Sequence, residues 1–203
     1  MLPTIQLIAF DVFGVIITDG HLVSHGLMPH LPATTSKAQV KPFYDAYTSG
    51  HISEAAFWQG IDLSIESQIR QHFLDVFELD EDLELVTQKL GHYYRLGILS
   101  NLGWEWYQLL EQRLQFSAPF EPRIISGTVG CQKPEPAIYQ CLIAASKLAG
   151  EQIAFVDDRL ENLAVAAELG MTTIHYAREK DDYPFEPIYT IKRLGELVQR
   201  FPF

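Results

Sequence analysis

The sequence predicts an α/β protein built on a doubly wound, Rossmann-like parallel sheet, with a small helical cap inserted after the first strand. Three observations support this fold: short runs of apolar, β-branched residues, amphipathic segments between those runs, and polar residues where the runs end. Apolar runs without alternation are typical of strands that a parallel sheet buries on both faces. Strands that alternate with helices indicate the crossover connections of such a sheet.

The first strand is predicted within Ile5–Ile16, and the other elements are organised around it. Its apolar residues lead to Asp11, and Gly14 follows where the chain makes a tight turn. Ligands bind just beyond the carboxyl ends of the strands in open α/β sheets. Asp11 is therefore a candidate nucleophile or metal ligand, and an aspartate that merely opens a turn is the alternative interpretation.

The segment from residue 18 to residue 87 has no strand-like run and predicts the helical cap, so that residues 1–17 and 88–203 form the core domain. A polar stretch, Thr18–Pro32, opens this segment. Its histidines match no metal-binding spacing and are interpreted as solvated loop residues: His21, His25 and His30. Aromatic residues at helical spacing follow, and a further amphipathic helix is predicted at Ile65–Phe77.

The chain then alternates helices and strands. Further strands are predicted at Gly97–Asn101, Ile124–Ser126, Ile153–Val156 and Met171–Tyr176. Helices are predicted at Leu83–Tyr94, Trp104–Leu114, Pro136–Ala149, Leu160–Leu169 and Ile191–Phe201.

The composition argues against several classes of function. The net charge of −11 and the pI of about 5.0 argue against nucleic acid or an anionic membrane surface as a partner. No apolar run approaches the ~20 residues of a membrane span, and the N-terminus lacks the basic region of a signal peptide. Cys131 and Cys141 suggest no disulfide framework, so a reducing cytoplasm is the expected location. A small phosphorylated substrate is compatible with the acidic chain because local charge decides its binding.

Polar side chains follow four points of the predicted core where strands end. These residues are Asp11, then Ser100 with Asn101, then Lys133 in a loop, and finally Asp157 with Asp158. The carboxyl ends of parallel strands meet at one edge of a sheet, so we expect these groups to lie together. They combine a carboxylate nucleophile, a hydroxyl and a lysine suited to an anion, and an acidic pair suited to Mg²⁺.

These motifs, in this order, resemble the haloacid dehalogenase-like (HAD) hydrolase superfamily over nearly the whole chain. The matching segments are Asp11–Val15, Leu99–Asn101, Lys133–Pro136 and Val156–Asn162. The helical insert is similar to the small cap of this family. Within the family, Tyr47–Ser53, Phe57-Trp58 and the Asp157-Asp158 pair resemble the capped subgroup of sugar-phosphate phosphatases.

The resemblance implies a role for each residue of the site. Asp11 would attack phosphorus and form an aspartyl-phosphate, while Lys133 would neutralise charge on Asp11 and on the phosphate. Ser100 and the backbone near Asn101 would bind phosphoryl oxygens. Mg²⁺ would be held by Asp11, the backbone carbonyl of Phe13 and Asp158, with Asp157 bound directly or through water. Asn162 matches a position that often supports the metal site, and an ordinary residue of a helical turn is the alternative.

Phe13 departs from the family pattern, Asp-x-Asp-Gly, in which the second aspartate acts as general acid and base. Such catalysis typically contributes about 10²–10⁴-fold to the rate. Without it, the leaving group must be protonated by water, by the substrate, or by a side chain of Thr18–Pro32 or the cap.

Three functions stay open. The first is a Mg²⁺-dependent phosphatase of a small phosphorylated metabolite, with reduced or unusual activity. The second is a metal-independent 2-haloacid dehalogenase, which an aromatic residue at position 13 fits but the pair Asp157-Asp158 does not, since two adjacent carboxylates repel each other. The third is a non-catalytic relative that binds a phosphorylated ligand or a protein.

Overall fold

The apolar runs of the sequence form a six-stranded parallel sheet in the computed structural model, which describes residues 5–201. The strands are β1 (Leu7–Phe10), β2 (Arg95–Ser100), β3 (Phe120–Ile125), β4 (Ile153–Asp157), β5 (Thr172–Tyr176) and β6 (Tyr189–Ile191). Their order is β3-β2-β1-β4-β5-β6, which places the first strand between β2 and β4. The predicted fold class is therefore confirmed. Residues 1–4 and 202–203, which the predicted core domain includes, lie outside the described residues.

Helices connect the strands. The α-helices are α1 (Lys37–Thr48), α2 (Glu54–Gly60), α3 (Gln68–His72), α4 (Leu83–Leu90), α5 (Trp104–Leu114), α6 (Ser126–Val129), α7 (Pro136–Ser146), α8 (Leu160–Glu168) and α9 (Leu197–Arg200). A π-helical turn at Leu22–Leu27 and a 3₁₀ turn at Met28–His30 precede α1. None of the helices within residues 5–201 combines the length and the apolar character that crossing a bilayer requires.

The sheet is buried on both faces because side chains of β1 alternate between two hydrophobic cores. Ile8 and Phe10 pack in one core, with residues of α4, α5 and α9. Leu7 and Ala9 pack in the other, with residues of α7 and α8. All four side chains are fully buried, which explains why this strand reads as a continuous apolar run.

Several predicted helices are wrong in extent, and two of them differ most from the structure. Only Gln68–His72 of the predicted helix Ile65–Phe77 is α-helical, and turns follow it. The predicted final helix Ile191–Phe201 begins instead as the edge strand β6, whose Tyr189 lies opposite Ile174 of β5. The pairing with β5 defines this strand, because a strand of three residues is too short to show a periodic pattern in the sequence.

The polar stretch Thr18–Pro32 also differs from the predicted loop. It forms the helical turns that begin at Leu22, and it buries Leu22 and Leu27. The predicted helix Leu83–Tyr94 ends at Leu90, where Gly91 is the C-cap. A Cβ on Gly91 would lie 2.5 Å from the carbonyl oxygen of Thr87, so a glycine suits the point where the chain leaves the helix.

A buried glutamate ties the helices between β1 and β2 to α5. The Oε1 atom of Glu54, in α2, accepts hydrogen bonds of 3.0 Å from both Trp58 Nε1 and Trp106 Nε1. Arg70 donates to both carboxylate oxygens over 2.7 and 2.8 Å. Glu54 is only 2% exposed, and the rings of Phe57 and Phe73 pack against Trp106 around it.

We expect Glu54→Ala to destabilise the fold by about 3 kcal/mol or more, because it leaves a guanidinium and two indole N–H groups without their acceptor. Urea unfolding of the purified variant measures this loss. Glu66→Ala, which removes an exposed glutamate close in sequence, is the matched control and should change stability by less than about 0.5 kcal/mol. Equal stability of the two variants would contradict the structural role of Glu54.

Candidate active site

The predicted site residues meet at the carboxyl edge of the sheet. Asp11 directly follows β1, Ser100 is the last residue of β2, and Asp157 is the last residue of β4. Lys133 reaches the same point from the loop between α6 and α7. All four are buried, with at most 8% of each residue exposed. The sequence-based expectation that these groups lie together is met.

Lys133 lies between two carboxylates. Its Nζ atom is 2.9 Å from Asp11 Oδ2 and 2.7 Å from Asp157 Oδ2. Burial by itself would lower the pKa of Lys133, but the two carboxylates raise it, so the ammonium group stays charged. The other oxygen of Asp11 accepts hydrogen bonds of 2.7 Å from Ser100 Oγ and from the Val12 N–H. Asp11 is thereby held in one orientation.

The side chain of Asn101 holds the backbone of Lys133 from both sides. Its Oδ1 accepts from the Lys133 N–H over 2.7 Å, and its Nδ2 donates to the Lys133 carbonyl over 2.8 Å. Both ends of the amide are therefore used inside the protein. A contact between Asn101 and a bound anion would have to come from its backbone.

The two adjacent aspartates have different surroundings. Both oxygens of Asp157 are occupied: Oδ1 accepts from the Arg159 N–H over 2.8 Å, Oδ2 accepts from Lys133, and Asn162 Nδ2 donates to both over 3.0 and 3.1 Å. The carbonyl of Asn162 in turn accepts a hydrogen bond from Tyr139. Asn162 therefore supports Asp157 and is not an ordinary residue of a helical turn. Because its oxygens are already engaged, Asp157 is better suited to reach a cation through water than directly.

The carboxylate of Asp158 receives no hydrogen bond from any residue within 5–201. It lies against two glycines: a Cβ on Gly14 would collide with it, and a Cβ on Gly20 would lie 2.9 Å from its Oδ2. Gly14 also has a φ of 84°, which favours glycine. Burial, together with the charges of Asp157 and Asp11, raises the pKa of Asp158 to about 8.

Oxygen atoms of Asp11, Asp157 and Asp158 lie within 4.8 Å of one another. Mg²⁺ prefers a few carboxylate oxygens together with water and phosphate oxygens. The carboxyl of Asp158 has no hydrogen-bond donor among the described residues, and its raised pKa reflects negative charge without a compensating cation, so the residues present fit Mg²⁺. Phe13, whose carbonyl is the other predicted ligand, lies in the turn beside them.

A cavity of about 410 Å³ opens above this cluster. The Phe13 ring lines it and packs edge-to-face on Phe77, with the ring centroids 5.0 Å apart. Several lining residues belong to segments distant from the predicted motifs: Tyr44 from α1, His21 and Leu22 from the turn before it, and Glu179–Asp182 after β5. No spacing in the sequence connects these segments.

His21 was expected to be a solvated loop histidine. It is exposed, but it also lines the cavity, and its Nε2 lies 2.9 and 3.1 Å from the two carboxylate oxygens of Glu179. His25 and His30, which carry the same expectation, are exposed and do not line it.

Arg178 braces the turn that carries Phe13 and Gly14. Its Nε donates to the Gly14 carbonyl over 3.1 Å, and its Nη2 bonds to Asp80 Oδ2. The Tyr176 hydroxyl donates to the same oxygen of Asp80 over 2.8 Å. The end of β5 is thus linked to the turn after β1.

The sequence profile described as haloacid dehalogenase-like hydrolase matches residues 5–170. Over 66 residues the chain is 38% identical to bifunctional epoxide hydrolase 2 of Mus musculus. Over 100 residues it is 27% identical to the drimenol cyclase drtB of Aspergillus calidoustus. These stretches cover 32% and 49% of this chain but only 12% and 19% of the two relatives. The aligned part is therefore less than a fifth of either relative.

Solved structures share the fold. A HAD family enzyme from Bacteroides thetaiotaomicron, in complex with magnesium and inorganic phosphate, aligns with a TM-score of 0.74 at 21% identity, over 88% of this chain and 98% of that one. An L-2-haloacid dehalogenase from Xanthobacter autotrophicus, with chloropropionic acid covalently bound, aligns with a TM-score of 0.73 at 15% identity, over 97% and 98%. At these identities the likeness establishes the fold and not the reaction.

Without Mg²⁺, Asp158→Asn should raise the melting temperature, and the gain should grow from mildly acidic pH to about pH 8. The pKa of Asp158 is higher in the folded state than in the unfolded chain, so folding favours the protonated carboxyl, and this contribution to stability is lost as the pH rises towards 8. Thermal unfolding in a chelator measures the difference, where each kcal/mol corresponds to roughly 2–4 °C for a chain of this size.

Millimolar Mg²⁺ should stabilise the wild type by linkage and the variant much less. Glu168→Gln, which changes an exposed carboxylate of α8, is the control and should show neither effect. A wild-type melting curve unaffected by Mg²⁺, with a pH-independent effect of Asp158→Asn, would contradict the cation site.

Proposed function

Because the chain belongs to the haloacid dehalogenase-like hydrolase family, we propose that it is a Mg²⁺-dependent phosphatase that acts on a small phosphorylated metabolite through an aspartyl-phosphate. The substrate class that we favour is the sugar phosphates, since the cap motifs resemble those of sugar-phosphate phosphatases. The observation that carries the proposal is Asp158, a carboxylate without a hydrogen-bond donor among the described residues, held beside two other carboxylates. Three carboxylates this close repel one another, and a bound cation would compensate their charge.

Mg²⁺ would be bound by Asp11, the Phe13 carbonyl and Asp158, with Asp157 reaching it through water. When bound, it supplies charge neutralisation for the phosphoryl oxygens. The chain's own residues do the rest. Ser100 and Lys133 orient the carboxylate of Asp11 towards the phosphorus atom of the substrate. The ammonium of Lys133 balances the negative charge that develops as an oxygen of Asp11 bonds to phosphorus.

A second function, 2-haloacid dehalogenation, is favoured by one observation. Phe13 is aromatic, as is the corresponding residue in dehalogenases of this family, and its ring lines the cavity. The same Asp11 would then attack carbon and displace a halide. Asp158 argues against this alternative, because without a metal its carboxyl lies beside Asp11 and Asp157 with no donor among the described residues, and only protonation relieves the repulsion. Substrate screening with sugar phosphates and with 2-chloropropionate, each in Mg²⁺ and in chelator, separates the two functions. Ligand binding without turnover of any substrate would indicate a non-catalytic relative.

Asp11→Asn should abolish phosphate release while leaving the circular dichroism spectrum unchanged, because an amide of nearly the same shape cannot form the acyl-phosphate. The matched control is Asp45→Asn in α1, since Asp45 forms an exposed ion pair with Lys41 and does not line the cavity. The control should keep wild-type turnover. Substantial turnover by Asp11→Asn would show that another group attacks the substrate.

Lys133→Met should lower kcat by about 10²–10³-fold, the effect of losing one preorganised electrostatic contact in a water-poor site. The change also leaves Asp11 and Asp157 facing each other without a cation between them, so thermal unfolding should be recorded in parallel. Turnover within threefold of the wild type, in a folded variant, would exclude the proposed role of Lys133.

A further inference from the structure

The proposed phosphatase lacks a proton donor at residue 13, and the inference that follows rests on that function. A phenyl ring neither gives nor takes a proton, yet an alkoxide leaving group needs one. A protein side chain that supplies this proton must lie on the wall of the cavity above Asp11. The titratable groups on that wall, besides those already placed at the phosphate and the cation, are His21, Tyr44, Arg159, Glu161 and Glu179–Asp182.

Most of these groups form ion pairs with one another, or they cannot both give a proton to the leaving group and take one from water. Arg159 donates to Glu161 over 2.7 Å, and Lys180 donates to Asp182 over 2.8 Å. Asp181 accepts hydrogen bonds from two backbone N–H groups, which lower its pKa against the effect of burial, so it stays ionised and has no proton to give.

Tyr44 is also a poor candidate. Burial and the nearby charge of Asp11 raise the pKa of its phenol, so the group does not act as a base in the second half of the reaction. The pair formed by His21 and Glu179 remains.

His21 lines the cavity, and its backbone is held next to the cation cluster. Its backbone N–H donates to Asp19 Oδ1 over 2.7 Å. Its neighbour Gly20 packs so closely on Asp158 that a Cβ there would lie 2.9 Å from Oδ2. Since consecutive Cα atoms are about 3.8 Å apart, the His21 backbone lies within roughly 8 Å of the Asp158 carboxylate.

The imidazole is oriented by Glu179, which lies far from it in sequence. Nε2 of His21 bonds to the carboxylate, whereas its Nδ1 has no partner within residues 5–201. The ring of His25 packs edge-to-face against that of His21, at 84° and with the centroids 5.2 Å apart. A carboxylate on one imidazole nitrogen leaves the other free to exchange a proton, and histidine is the side chain whose proton exchange lies nearest neutral pH.

We propose that His21, held by the positioning residue Glu179, is the general acid and base that replaces the missing carboxyl group at residue 13. As an oxygen of Asp11 bonds to phosphorus, the ester P–O bond breaks and its electron pair goes to the leaving oxygen. The imidazolium of His21 gives that oxygen a proton from Nδ1 and becomes neutral.

The second step regenerates both groups. The neutral imidazole takes a proton from water as the water oxygen bonds to phosphorus. The bond between phosphorus and Asp11 breaks, and its electron pair returns to the carboxylate. Inorganic phosphate leaves, and His21 is protonated again.

The test compares leaving groups in the full chain with Mg²⁺. p-Nitrophenolate leaves without a proton, whereas the alkoxide of glycerol phosphate needs one. His21→Gln should lower kcat/KM on glycerol phosphate by about 10²–10⁴-fold. On p-nitrophenyl phosphate it should keep a burst of one nitrophenol per enzyme, followed by slow turnover, because only the water-attack step then lacks its base. His30→Gln, an exposed histidine outside the cavity, should behave as the wild type on both substrates.

Two further variants separate catalysis from structure. His21→Gly should regain alkyl-phosphate turnover when imidazole is added, which a structural role does not predict. Glu179→Gln should lower kcat/KM on glycerol phosphate and keep the nitrophenol burst on p-nitrophenyl phosphate, because the imidazole loses the carboxylate that orients it.

The outcomes distinguish the two proposals. If the wild type hydrolyses glycerol phosphate and His21→Gln retains that activity within threefold, the role of His21 is overturned and the phosphatase proposal stands. If His21→Gly is inactive and imidazole does not restore it, the role of His21 is also overturned. If the wild type releases phosphate from neither ester, both proposals are overturned together.

Discussion

The ammonium group of Lys133 lies between two buried carboxylates, and the geometry of the site depends on it. Asp11 follows one strand and Asp157 ends its neighbour, so without a cation between them their charges would repel each other. Lys133 belongs to neither strand, and Asn101 of a third segment fixes its backbone on both sides. One side chain therefore joins three segments at the sheet edge, and the position of Asp11 cannot change without disturbing all of them.

Charge balance separates the roles of two aspartates that look equivalent in the sequence. One ammonium cannot compensate three carboxylates within 4.8 Å of one another. Asp157 is surrounded by donors and serves as an internal acceptor, whereas Asp158 has space made by Gly14 and Gly20 but no donor within the described chain. The two glycines are thus as important to the proposed cation site as the carboxylates, because a side chain at either position would occupy the place of the Asp158 carboxylate.

The sequence predicts the centre of the site better than its periphery, for a physical reason. Asp11, Ser100 and Asp157 each come where an apolar run ends, and parallel strands bring such ends to one edge whatever the details of packing. His21 and Glu179 are 158 residues apart, and their pairing depends on how a π-helical turn packs beside the chain after β5. The sequence likewise did not predict strand β6, and the helix that it predicted around α3 is too long. Tertiary contacts, rather than local periodicity, determine both elements.

Phe13 shows how packing and charge act together at one position. Phe13 is 8% exposed, and its ring packs on Phe77, which forms an apolar contact at the cavity wall. A carboxylate there would lose this contact and place a fourth negative charge beside Asp11, Asp157 and Asp158. An aromatic residue relieves both problems but removes the group that moves protons. In the reaction that we propose, an imidazole at the cavity wall would transfer the proton, while the cluster at the sheet edge would transfer the phosphoryl group. In that arrangement the two tasks depend on different segments of the chain, and a change to one segment need not impair the other.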